Sequence, residues 1–387
     1  RNTSRRLQAL ECALDAADIA KDIGDQKLEA LAMMTVSTVN ALKKDFKAQK
    51  RAVALAIELF KAVGDRRSEA HAFYNLGSAD INSGRIEEGM RSKNKALKIF
   101  LELGDIRLAA GTWVSQAEWL LEKEDWKGSL HAANEAIALL EKIEARPGDD
   151  SITAARYWMV QAHLMGNDVN RALEVAEDCL ARERATNNKK NEVQAMSMLA
   201  ETQAAANKHD EALKTAMEGQ SIARDELDKR WEAYALECLS QVHYDSENWE
   251  AAKNDAIEAV ELSKDLDGFE EEAFSRMQAL TRVLVQKDEY AQGVKVMEEA
   301  KQLATRMDDK YYEAMALMGL CGCHAISGNF DKAETAGRLA AELFREEGYA
   351  RGEARAWKAL ADCFMNADYA QSVRFAKQGE MLMQEFG

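Results

Sequence analysis

Three groups of residues could do chemistry. Cys321-Gly322-Cys323-His324 puts two thiols and an imidazole within four residues, the donor set of a zinc or redox site. His163, His243 and His324 recur at one phase of the chain, and so do Glu29, Glu69, Glu192, Glu232, Glu272, Glu313 and Glu353. Imidazoles and carboxylates of this kind are the raw material of acid–base catalysis. What they do depends on the elements that carry them. On a helix, residues two apart point about 200° apart, so Cys321 and Cys323 are badly placed to share one ion. Cys179 and Cys321 stand at positions where only small residues occur, and Cys323 and Cys363 align with Val39, Ala79, Val242 and Val283. All four read as small core residues, and unpaired thiols in a core fit the cytoplasm or another reducing compartment. The histidines lie at equivalent positions two repeats apart, too far for a shared site, and read as packing between units. Each glutamate lies near the start of a helix, where the dipole favours it by ~0.3–1 kcal/mol. No phosphate-binding glycine loop and no G-x-S-x-G nucleophile motif occurs. The expectation is a non-enzymatic protein with no cofactor and no metal.

The elements follow from a repeat of about forty residues. Anchoring each unit on the residue that enters its second helix gives Phe46, Ile86, Trp126, Val169, His209, Trp249, Tyr290, Phe330 and Tyr369. Ten residues later stands Ala56, Ala96, Ala136, Cys179, Gly219, Ala259, Ala300, Ala340 or Gly379, all small. Nine residues before the anchor a second, mostly small series runs from Ser37 and Gly77 to Cys321. Small side chains at two fixed phases let two helices cross closely. Each helix then has only one apolar stripe, so a unit must stack on its neighbours to bury a core.

The order Phe73-Leu76-Gly77, Gly89, Ala96, and again Trp113, Ala117, Trp126, Ala136, resembles the tetratricopeptide repeat (TPR). The resemblance spans nearly the whole chain. Its forty-residue variety, opening with Gly-Asp and Glu-Ala, is similar to repeats of kinesin light chains and spindle-orientation adaptors. It departs from the usual pattern in its length and in lacking the proline that ends the second helix. The resemblance implies an all-α, right-handed α-solenoid of about nine helix-turn-helix repeats plus one N-terminal half-repeat, acting in protein binding.

Composition agrees. Apolar residues make up 47% and charged residues 30%, with a single proline, Pro147. No apolar run approaches the ~20 residues that span a bilayer, so no membrane is expected. The net charge of −16 is uneven: residues 1–100 carry +5 and residues 101–387 carry −21. The basic end includes Lys43, Lys44, Lys47, Lys50, Arg51, Arg91, Lys93, Lys95 and Lys98. It reads as a solvated helix face and not as a nucleic-acid site, because no aromatic platforms are interleaved with it.

Residues 1–23 read as the second helix of a half-repeat, with Ala9 and Ala16 at the small positions, and the chain beginning at Arg1 reads as a fragment. Repeats follow near 24–63, 64–103, 104–143, 144–186, 187–226, 227–266, 267–307, 308–347 and 348–387, forming one superhelical domain. The segment 144–150, with Pro147-Gly148, adds about three residues and must end a helix. The Gly-Asp pairs that open the first units suit a left-handed residue after one helix and a cap for the next. The last helix carries Val373, Phe375, Leu382, Met383 and Phe386, and a further segment or a partner is expected to cover part of it.

In the family that the repeat resembles, first helices line the concave face. By phase this places Tyr74, Asn75, Ser78, Glu118, Tyr157, Gln161, Glu201, Glu237, Gln241, Gln278, Arg282, Arg355 and Lys358 on that wall. The wall is polar and mildly acidic, with its cations toward the far end. A basic segment of another protein is the matching partner. Two other readings remain open: a structural subunit docked by its convex face and ends, and a sensor array of a larger signalling enzyme. Oligomeric state is not fixed by any of this.

Overall fold

A computed structural model describes residues 2–143, 150–264, 266 and 268–386. Among the described residues there are nineteen α-helices and no strand. In chain order they are α1 (Asn2–Asp22), α2 (Gln26–Leu42), α3 (Phe46–Val63), α4 (Arg66–Asn82), α5 (Ile86–Leu103), α6 (Ile106–Glu122), α7 (Trp126–Lys142), α8 (Asp150–Met165), α9 (Val169–Thr186) and α10 (Lys189–Ala205). They continue as α11 (His209–Glu226), α12 (Lys229–Asp245), α13 (Trp249–Lys264), α14 (Glu270–Gln286), α15 (Tyr290–Met307), α16 (Lys310–Ile326), α17 (Phe330–Glu346), α18 (Ala350–Phe364) and α19 (Tyr369–Phe386). The fold is an all-α solenoid of helical repeats. After α1, every odd-numbered helix begins on one of the nine anchor residues. The Pro147-Gly148 stop lies outside the described residues.

The turns explain why the period is kept. Two residues before the anchor the backbone is left-handed in eight pairs, at Lys44, Gly84, Glu124, Asn167, Asn207, Glu247, Asp288 and Gly328. The amide that follows then bonds back to a carbonyl five residues earlier, as from Asp45 to Asn40 (3.0 Å), Asp125 to Leu120 (2.9 Å) and Asn248 to His243 (2.9 Å). This closes the last helical turn and satisfies its orphan carbonyls. Between repeats Gly24, Gly64 and Gly104 are left-handed as expected. Asp25 and Asp65 accept from the amides of Leu28 and Ser68, but Asp105 makes no such cap bond.

Every residue in the two small series is buried. Where glycines meet, the approach is closest. A Cβ on Gly77 would lie 2.8 Å from the Gly89 carbonyl oxygen, and one on Gly89 2.6 Å from that of Gly77. At the same crossing in other pairs a serine hydroxyl donates to the facing carbonyl: Ser129 to Ala117 (2.7 Å), Ser240 to Ala252 (2.8 Å) and Ser372 to Ala361 (2.8 Å).

Packing groups the chain into two compact units, residues 104–288 and residues 1–103 with 289–387. In the first unit α7 packs on α8, and the first helices α6, α8, α10, α12 and α14 lie side by side. In the second, α1–α5 and α15–α19 stack in sequence order, and the α2–α3 turn also meets distant helices. Lys44 Nζ lies 4.0 and 3.9 Å from the ring centroids of Tyr311 and Tyr312. The Phe46 ring is 5.9 Å from Tyr349, which in turn packs on Tyr311 and Phe344. Stacking on sequence neighbours is therefore not the whole of the packing here, because aromatic rings at α16–α18 offer Lys44 and Phe46 a surface.

Four further details differ from the sequence reading. In α1 the buried alanines are Ala13, Ala17 and Ala20, whereas Ala9 and Ala16 are exposed, on the face other second helices turn to their own first helix. Lys93 is not on a solvated face: it is 1% exposed, with Nζ 3.9 Å from the Tyr74 ring centroid. Phe375 is already covered, being buried between Trp357 and Phe364, while the side chains of Met383 and Phe386 lie outside those described. The periodic glutamates do more than face a dipole. Glu192, Glu232 and Glu353 accept from Arg184, Arg224 and Arg345 at the end of the preceding helix. Arg184 and Arg224 each also reach the second helix of that next repeat, at Glu218 and Glu258.

Candidate functional site

Within residues 104–288 the first helices stand side by side, so one residue per turn from each forms a continuous row. This brings together Glu118 on α6, Tyr157 and Gln161 on α8, Glu201 on α10, Glu237 and Gln241 on α12, and Gln278 and Arg282 on α14. Most are partly buried, because their stems lie against neighbouring helices; Tyr157 and Arg282 are exposed.

The row has an acidic end and a neutralised end. At the acidic end the Tyr157 side chain is 37% exposed overall, yet packing that keeps water from its phenol, then the charges of Glu201 and Glu118, push it up to about 12. Burial, then the nearby Glu237 and Asp245, raise the Glu201 carboxyl to about 7. Carboxylates deprived of water and facing each other resist ionisation, and a cation between them would relieve both penalties. The Tyr234 phenol, raised by burial and by Glu201, completes the cluster. At the other end Arg276 donates through Nε to Glu237 (3.1 Å) and through Nη1 to the Ser263 hydroxyl (2.7 Å). Arg282 donates to the Gln241 side-chain oxygen and lies 4.9 Å from the Tyr244 ring centroid. Gln241 then donates to Asp245 (2.7 Å). Burial raises the Glu237 carboxyl, and Arg276 opposes that shift.

The remaining sequence candidates belong to the other unit. Tyr74, Asn75 and Ser78 are partly buried on α4, where the Ser78 hydroxyl donates to the Tyr74 carbonyl (3.3 Å) and the Tyr74 ring receives the Lys93 ammonium. Arg355 and Lys358 are exposed on α18. Sequence phase missed Tyr234, Asp245 and Arg276. Asp245 continues the four-residue spacing of Glu237 and Gln241, a signal that was there to read. Arg276 carried only the hint of an arginine on an otherwise apolar helix face.

Two clefts lie away from the row. One, of ≈300 Å³, runs along Leu317, His324, Lys332 and Leu339. The other, of ≈280 Å³, is lined by α3, α4 and α5 and includes Lys61, Phe73 and Lys95. The Cys321 sulfur lies 3.9 Å from that of Cys363, across α16 and α18. His163, His243 and His324 all have imidazoles made less basic by burial. Among the described residues no helix is long and apolar enough to cross a membrane.

No family model matches the chain, and no curated protein matches it. Among solved structures, a Rap protein complexed with competence and sporulation factor is 11% identical, covering 92% of this chain and 98% of that one, with a TM-score of 0.48. A signal transduction ATPase with a tetratricopeptide repeat sensor from Pyrococcus horikoshii is 13% identical over 91% of this chain and 55% of that one, with a TM-score of 0.47. A putative kinesin light chain from Podosopora anserina is 12% identical over 50% of this chain and 94% of that one, with a TM-score of 0.43. Likeness at this level carries no residue-by-residue correspondence.

Proposed function

We propose that this chain, a tetratricopeptide-like helical-repeat protein, is a non-enzymatic interaction scaffold that holds a basic segment of a partner protein along the first helices of residues 104–288. The observation that supports the reading is the placing of Glu118 and Glu201 beside the Tyr157 phenol, with Tyr234, Glu237 and Asp245 around Glu201. An arginine or lysine entering there gains charge-assisted hydrogen bonds to carboxylates and the face of a phenol ring. It also restores to Glu201 the charge that burial suppresses. Nothing in the cluster supplies a nucleophile: Cys238, its thiol, is buried, raised well above the usual range, and directed at the Ser197 carbonyl 3.7 Å away.

The test uses a fluorescein-labelled Arg-rich peptide and its Gln-substituted control. The native chain should bind the first and not the second, with affinity falling as salt rises because the pairs are partly exposed. The Glu118→Lys/Glu201→Lys variant should lose about tenfold in affinity, equivalent to ~1.4 kcal/mol. Its helix content should stay near that of the parent. Equal binding by the parent and this variant would overturn the reading.

A further inference from the structure

The ≈280 Å³ cleft on α3, α4 and α5 has the opposite polarity to the row above and belongs to the other unit. Its floor is the buried Phe73 ring. Two ammonium groups approach that single ring: Lys61 Nζ at 5.1 Å and Lys95 Nζ at 5.4 Å from its centroid. The cleft's own carboxylates are engaged by its other two cations. Arg66 donates to Glu69 (2.7 Å) and Glu102 (3.3 Å), and Lys98 lies 4.0 Å from Glu102. Among the described residues, Lys61 and Lys95 have no carboxylate partner and interact only with the ring. Two cations over one quadrupole are each attracted to the ring while repelling one another. A carboxylate placed between them replaces that repulsion with two ion pairs and leaves the ring contacts intact.

The geometry points to this cleft as a docking site for an acidic segment of a second protein, one carboxylate of which seats between Lys61 and Lys95. Charge complementarity is the argument: residues 1–100 carry +5 in a chain whose remainder carries −21. A protein carboxylate fits better than a nucleic acid. Phe73 is 8% exposed, so the cleft has no ring free to stack a base.

The experiment titrates the full chain with a fluorescein-labelled helical peptide rich in Glu and Leu. The controls are a Gln-for-Glu peptide, oligothymidylate and inorganic phosphate. Saturable binding of the acidic peptide alone is expected. Its Kd should rise at least about tenfold in both Lys61→Glu/Lys95→Glu and Lys61→Gln/Lys95→Gln, with helix content unchanged. Arg91→Glu, an exposed α5 residue outside the cleft, should move it by less than about twofold. The proposal is overturned by absent binding, by an equal loss in Arg91→Glu, or by oligothymidylate displacing the peptide. It is also overturned if the native chain self-associates and the double variants abolish that, since the acidic segment would then lie on a second copy.

Discussion

Glu201 shows what a single position can and cannot announce. Its phase put it beside Glu118, Gln161 and Gln241, on first helices that stand side by side. Its weakened acidity comes first from burial and then from Glu237 and Asp245, which belong to α12. Because the folded carboxyl titrates near 7, the fold favours its protonated form. That contribution to stability is present below the ordinary carboxylate pKa of about 4.3 and is lost as pH rises through 7. Glu201→Gln removes the titration. Its melting temperature should therefore match the parent near pH 4, exceed it increasingly up to pH 7, and keep a constant margin above. Thermal scans across that range check this; a margin that does not change with pH would mean Glu201 is normally solvated. The same group sets the pH response of the proposed function: affinity for an Arg-rich peptide should rise from pH 6 to pH 8 in the parent and stay flatter in Glu201→Gln. Arg276 was illegible for a complementary reason. Its partners, Glu237 and Ser263, come from two other helices, and no spacing within α14 encodes them.

At the scale of the helix pair, the repeat made almost everything legible. The nine anchors open nine helices, and both small series are buried, because a close crossing tolerates little else. Ala136 is fully buried on α7, so Ala136→Leu should overpack its crossing and lower stability by ~1–3 kcal/mol in denaturant titration. The turn conformation was less visible. Gly84 and Gly328 advertise a left-handed backbone, but Lys44, Glu124 and Glu247 adopt it with φ between 57° and 63° despite carrying Cβ atoms. Propensity gives no hint of this, since the motif is set by the helix on each side. A non-glycine residue there stores ~1 kcal/mol of strain, partly offset by glycine's greater freedom when unfolded. Glu247→Gly, at an exposed site, should thus raise stability by about 0.5–1 kcal/mol. A fall of that size would show that the Glu247 side chain contributes more than its backbone conformation costs.

For the whole molecule, periodicity describes neighbours and says nothing of contacts between repeats far apart. The meeting of Lys44 and Phe46 with Tyr311, Tyr312 and Tyr349 joins parts of one unit separated by most of the sequence. No residue in that cluster breaks the repeat pattern, which is why the sequence did not reveal it. The contact changes how the array should respond to damage. In a one-dimensional array, a substitution weakens its own repeat and the adjacent ones. Tyr349 stands just before α18 and packs on Phe46, Tyr311 and Phe344. Tyr349→Ala should lower stability by about 2 kcal/mol, from lost apolar burial and aromatic contact. Hydrogen exchange then separates the two architectures. Amides of α16–α18 should lose protection in either case. Those at the α2–α3 turn should lose it as well if the long-range docking holds, while α10–α12, in the other unit, keep theirs. Protection unchanged at residues 41–50 would remove the docking contact and return the array to nearest-neighbour behaviour.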